Sequence, residues 1–171
     1  SLKPMELKEN TDYYLYCKDD NRLVTLDETT GNVYRSGDSL PNDGLQTWTL
    51  ELEGEIVYLK NTATGQYLTV AGNENGSNIF ADSSQTDSSR WRVQNKLSNE
   101  FVISDAASGK LMSGSGGGID NIHLWENGGS DLQIWKFVEK ATEEPEGDKT
   151  ELQKLYDEWK DLDLTPYING A

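Results

Sequence analysis

At 171 residues the chain is sized for one domain with room for a short appendage. Only 35% of its residues are hydrophobic, below the globular average, while Gly, Asn, Asp, Ser and Thr are abundant, which suits short strands and turns better than packed helices. Lys and Arg total 15 against 30 Asp and Glu, a formal charge of −15, which disfavours nucleic acid and anionic membrane surfaces as partners.

No apolar run approaches the ~18 residues that a membrane-spanning helix needs, so membrane insertion is not expected. The chain opens at Ser1 without Met or an apolar signal segment, as expected of a piece excised from a longer protein.

In chain order, the first apolar strand is Tyr14-Leu15-Tyr16-Cys17. Its Cys17 is the lone cysteine, so it forms no internal disulfide and is expected to be a buried structural thiol. Shifting the chain against itself by about 44 residues sets Tyr14-Leu15 on Tyr58-Leu59, and Leu59 on Ile103. The same shift sets Asn21-Arg22-Leu23-Val24-Thr25 on Gly65-Gln66-Tyr67-Leu68-Thr69, and these on Gly109-Lys110-Leu111-Met112-Ser113. Trp48, Trp91 and Trp135 recur in the same phase.

Within the second unit, Glu55–Leu59 and Gln66–Val70 read as strands around a turn at Asn61–Gly65. A third strand near Ser77–Ala81 and a fourth at Arg90–Val93 complete it. Gly65 and Gly109 stand where the turn wants positive φ, and Asn21 takes that place in the first unit. The loop Gly114-Ser115-Gly116-Gly117-Gly118 precedes no helix and reads as a flexible hairpin loop. A four-stranded unit of this size also suits a propeller blade, but a propeller needs at least about four blades. Three units closing one barrel remove most exposed edges. The fold expected is all-β, a β-trefoil of repeats about 10–53, 54–97 and 98–139 within a domain 1–139. Trp48, Trp91 and Trp135 are its structural core, one per lobe.

The repeats end on Gln46-Thr47-Trp48 and Gln133-Ile134-Trp135, with Ser89-Arg90-Trp91 departing in the second. Leu124-Trp125-Glu126-Asn127-Gly128-Gly129 precedes the last of them. On these residues the stretch from about 10 to 139 resembles the ricin-type β-trefoil lectins and carbohydrate-binding modules. The resemblance implies that Trp125 is the platform on which a galactose-like ring stacks, its C–H face on the indole. Repeat alignment sets Trp125 against Ala81 and about Asp38, so it has no aromatic counterpart. The family's usual Asp is replaced by Thr25, Thr69 and Ser113. In lobe three Asp120, Asn121, Glu126 and Asn127 stand near enough in sequence to take its role. The expected sugar site comprises Trp125, Asn127, Ser113, Asp120 and His123, with lobes one and two structural.

His123 is the only histidine and there is no cysteine cluster, so no metal and no cofactor are expected. No nucleophile elbow, phosphate loop or dinucleotide fingerprint occurs, and the chain alone is not expected to be an enzyme. Residues 140–148 read as an acidic linker. Residues 149–171 then read as an amphipathic helix and tail, with Leu152, Leu155, Tyr156, Trp159 and Leu162 as its stripe and Asp148 as its cap. Lys149–Glu158 with Leu162–Tyr167 resembles the first helix of FIVAR-type modules, found between domains of secreted bacterial surface and carbohydrate-active enzymes. That resemblance implies an extracellular or cell-surface bacterial location, neighbouring domains in the same polypeptide, and a parent glycoside hydrolase. The expected function is a non-catalytic carbohydrate-binding module with one weak galactose- or GalNAc-type site. The alternative is a structural or protein-interaction trefoil whose sugar sites have decayed.

Overall fold

The computed structural model of the chain describes residues 3–141 and 151–160. Lobe one comprises β1 (Asp12–Cys17), β2 (Leu23–Leu26), β3 (Val33–Ser36) and β4 (Trp48–Glu53). Lobe two comprises β5 (Ile56–Asn61), β6 (Tyr67–Val70), β7 (Ile79–Asp82) and β8 (Trp91–Leu97). Lobe three comprises β9 (Glu100–Asp105), β10 (Leu111–Gly114), β11 (Ile122–Trp125) and β12 (Trp135–Glu139). The first and last strands of each lobe pair in the antiparallel circuit β1–β4–β5–β8–β9–β12 and back to β1, a closed six-stranded barrel. The hairpins β2–β3, β6–β7 and β10–β11 form the cap, joined by bridges Asn32↔Phe80, Tyr34↔Asn121 and Asn78↔His123. This is a β-trefoil, as the repeat predicts.

Local chemistry explains the hairpin entries. Asn21, Gly65 and Gly109 all have positive φ, at 58°, 73° and 76°. Each amide donates to the carbonyl four residues earlier, of Cys17, Asn61 and Asp105, closing the same turn three times. Asparagine tolerates this left-handed backbone and glycine adopts it without strain.

The core repeats as well. Trp48, Trp91 and Trp135 are fully buried. Their indole N–H groups donate to the carbonyls of Val24, Leu68 and Met112 at 3.0, 2.9 and 2.9 Å. Each tryptophan thus ties the last strand of its lobe to the second while its donor stays satisfied, as burial demands. Cys17, paired with Trp135 of β12, is buried, and burial pushes its thiol up to about 11, so it stays protonated and inert.

Two features of the cap cross between lobes. Asn32, Asn78 and Asn121 donate around a ring: Asn32 to Asn121, Asn121 to Asn78 and Asn78 to Asn32, at 3.0, 2.9 and 2.8 Å. Arg35 lies on the core face where the other lobes carry Ala81 and Leu124. Its guanidinium is buried, paired through Nε with Asp20 at 2.9 Å. Its other nitrogens donate to the carbonyls of Asn121, Ser115 and Ile119. The glycine-rich loop after β10, expected to be flexible, is therefore pinned by an arginine from lobe one. A Cβ on Gly114 would lie 2.7 Å from Arg35 Cζ, so glycine is the residue that lets the side chain cross.

The chain divides into two units, Ser1–Lys140 and Ala141–Ala171. In the second, a helix α1 (Glu151–Lys160) carries Leu152, Leu155, Tyr156 and Trp159 on its surface, all exposed. The expected linker beyond residue 141, the Asp148 cap, Leu162 and the stretch to Tyr167 lie outside the described residues.

Trp91→Ala should lower unfolding free energy by about 3–5 kcal/mol in urea titration, the usual range for deleting a buried tryptophan. A loss below ~1 kcal/mol would show that the lobe does not hang on its tryptophan.

Candidate functional site

Strand pairing fixes which side chains share a face. In lobe three Leu111 stands opposite Trp125 and Ser113 opposite His123. The same register sets Trp125 against Asp82 in lobe two and Ser36 in lobe one. This differs from the counterparts Ala81 and Asp38 expected from sequence, because the loops between second and third strands differ in length. Trp125 still has no aromatic counterpart. The position of His123, however, is aromatic in every lobe, as Tyr34 and Phe80.

Trp125 is 42% exposed at the end of β11. One edge lies over Gly76 of lobe two, where a Cβ would come within 3.8 Å of the ring. The amide of Gly76 donates to Leu124 O at 2.7 Å, and Asn75 Oδ1 accepts from the Glu126 amide at 2.8 Å. His123 lies 5.5 Å from the indole, tilted by 34°. A loop of lobe two and a neighbouring ring thus hold the tryptophan, and its indole N–H has no protein acceptor among the described residues.

A groove of about 330 Å³ opens beside Trp125. Ser113, Gly114 and His123 form its strand side, and Gly128, Ser130, Leu132 and Gln133 form its loop side. Its exposed wall is nearly all carbon. The reason is internal satisfaction of the polar atoms. Ser113 Oγ donates to Leu111 O at 2.9 Å and accepts from Gln133 Nε2 at 2.9 Å. Gln133 also donates to Glu126 O at 2.8 Å and accepts from the Gly128 amide at 2.9 Å. Lobe one repeats this clamp with Gln46, which donates to Thr25 and Asp38 O and accepts from the Leu40 amide. In lobe two Ser89 stands in place of the glutamine and bonds only within its own turn, to Thr86. The glutamine of the repeat motif is thus a loop clamp.

Of the residues expected from sequence, the structure gathers Ser113, His123 and Trp125 around this groove. Asn127 lines an adjoining depression instead, its Oδ1 accepting from the Gly129 amide at 3.0 Å. Asp120 is exposed outside the groove, and its carbonyl accepts from the Arg35 amide. Gly128, Ser130 and Leu132 escape sequence reasoning because their roles arise from loop shape. Arg35 left one signal: strand alternation places it on the same face as the buried Val33.

Burial, and then the charge of Arg35, push the His123 pKa below its ordinary 6.5. Its Nδ1 lies 3.2 Å from Ser115 Oγ. Among the described residues no three His, Cys, Asp or Glu side chains gather to hold a metal ion.

The comparisons with known proteins agree on the fold. Residues 44–117 match the family model of the ricin-type beta-trefoil lectin domain-like proteins. No curated protein matches the chain in sequence. Among solved structures, the Macrolepiota procera ricin B-like lectin, determined with lactose, is 16% identical, with a TM-score of 0.70 over 80% of this chain and 100% of its own. The designed threefold-symmetric protein ThreeFoil is 22% identical, with a TM-score of 0.66 over 74% of this chain and 97% of its own. An exo-beta-1,3-galactanase from Clostridium thermocellum is 20% identical, with a TM-score of 0.68; the match covers 79% of this chain but 31% of the galactanase. The barrel and cap have the β-trefoil fold of the ricin B-type lectins.

The single histidine makes the electrostatics directly measurable. Above pH ~6.5 His123 is neutral in both folded and unfolded chains and adds no pH dependence. Below it the unfolded chain takes up a proton first, so the contribution of His123 to stability falls and levels off below the folded pKa. NMR titration of the imidazole should give a midpoint below 6.5. A midpoint at or above that value contradicts the burial and charge assigned to the ring.

Proposed function

We propose that this trefoil, with the fold of the ricin B-type lectins, is a non-catalytic carbohydrate-binding module with one galactose-type site in its third lobe. The observation that carries the reading is the groove at Trp125, where a half-exposed indole faces a carbon-rich wall. A pyranose has the matching surface: an apolar C–H face for the indole and hydroxyls around its rim. The indole N–H, which meets no protein acceptor among the described residues, is left to meet one of those hydroxyls. With Ser113 in place of a carboxylate, the site lacks a charged acceptor, and single sugars should bind weakly. Galactose-type specificity is supported by the fold neighbours, one solved with lactose and another an exo-beta-1,3-galactanase.

The galactanase covers more than the trefoil, which supports reading this chain as an accessory module beside a catalytic domain. In that setting the module holds its parent glycoside hydrolase near glycan outside a bacterial cell, and the FIVAR-like segment leads into a neighbouring domain. The second reading, a structural or protein-interaction trefoil with decayed sites, is favoured by one observation. Ser113 and Gln133 spend their side-chain hydrogen bonds on the protein.

Titration with galactose and lactose decides between them. The unaltered chain should bind with a Kd near the millimolar range, about −4 kcal/mol. Trp125→Ala should weaken binding at least about tenfold, with a thermal midpoint within ~2 °C of the unaltered chain. Equal responses from both proteins would refute the site.

A further inference from the structure

The depression beyond the Asn127–Ser130 loop has a volume of about 420 Å³ and shares Ser130 and Gln133 with the Trp125 groove. Its floor is the outward face of β8 and β9, where Gln94 stands opposite Val102, with Lys96 two residues along. Only the crest of the loop separates the two. Gly128 faces the groove and Gly129 faces the depression. A Cβ built on Gly129 would meet nothing within 4 Å, so the space beside the crest is open.

The electrostatics of this path depart from those of the chain. Despite the formal charge of −15, no Asp or Glu lines either the groove or the depression. Lys96 is the cation there, and among the described residues neither Lys96 nor Gln94 has a side-chain hydrogen bond or ion pair. In the groove Ser113 and Gln133 have spent their polar atoms internally, whereas the depression offers unspent donors one crest away. Stacking on an indole fixes the plane of a sugar but little of its orientation, which needs placed polar partners.

We infer that groove and depression form one two-part track for an acidic oligosaccharide. The galactose-type unit lies on Trp125, and the unit bonded to it crosses the glycine crest. Lys96 then engages the carboxylate of that unit, or a sulfate on the galactose O3 that points to the crest, and Gln94 the neighbouring hydroxyls. A charge-assisted bond of this kind is about twice as strong as a neutral one. The inference rests on the Trp125 reading and deepens it, because it names the class of glycan.

Calorimetric titration of the whole chain with galactose, lactose, 3′-sialyllactose and 3′-sulfolactose tests it. The acidic sugars should bind about tenfold more tightly than lactose, the worth of one charge-assisted bond. That gain should vanish in Lys96→Gln, diminish in Gln94→Ala, and shrink as salt is raised. Galactose affinity should stay the same in Lys96→Gln, because that residue is exposed and outside the groove. A gain from one acidic sugar only would identify carboxylate or sulfate as the anion. If galactose binds through Trp125 but acidic and neutral sugars bind equally, the track is refuted and the groove stands. A gain that persists in Lys96→Gln also refutes the track. If no sugar binds, or Trp125→Ala changes nothing, the carbohydrate reading falls and the track with it.

Discussion

The structure depends on one hydrogen bond made three times, from a buried indole N–H to a carbonyl of the second strand in the same lobe. Three tryptophans supply large apolar area and a fixed polar anchor at once. Because the donor is satisfied, burying the ring carries no unpaired-group penalty. The glutamine two residues before the tryptophan extends the same logic to the surface. In lobes one and three it clamps the loop that follows the third strand, and in lobe three that loop is a wall of the Trp125 groove.

Against this threefold background, the Trp125 groove lies where the symmetry breaks. Arg35 enters the cap where the other lobes are aliphatic and organises the loop of lobe three from 80 or more residues away. A buried guanidinium is tolerable only because Asp20 and three carbonyls meet it, and the absent Cβ of Gly114 makes the passage. The pinned segment leads through Ser115 to His123 and so to Trp125. Lobe one keeps its glutamine clamp but has Ser36 in place of the platform. Lobe two has neither glutamine nor platform, with Ser89 and Asp82 at those places. The third lobe combines clamp, platform and open groove.

What the sequence made legible was what repeats. The tryptophans, the left-handed turns at Asn21, Gly65 and Gly109, and the unrepeated character of Trp125 all follow from self-alignment. Local spacing could not show contacts that cross lobes, such as the asparagine ring or the grip of Arg35 on the glycine loop. Nor could it place loop side chains. Asp120 and Asn127 stand near Trp125 in sequence, but neither lines its groove. The counterpart of Trp125 was displaced for the same reason, since loops of unequal length shift a constant offset.

The core tryptophans and Trp125 differ in a directly observable way: three indole N–H groups are locked to carbonyls, and that of Trp125 meets no protein acceptor among the described residues. A two-dimensional proton–nitrogen spectrum resolves the five indole signals of the chain. Addition of a galactoside should shift the Trp125 signal and leave Trp48, Trp91 and Trp135 in place, slow to exchange with solvent. A galactoside that moves a core signal, or leaves Trp125 unmoved at saturation, would contradict the division of labour between fold and site.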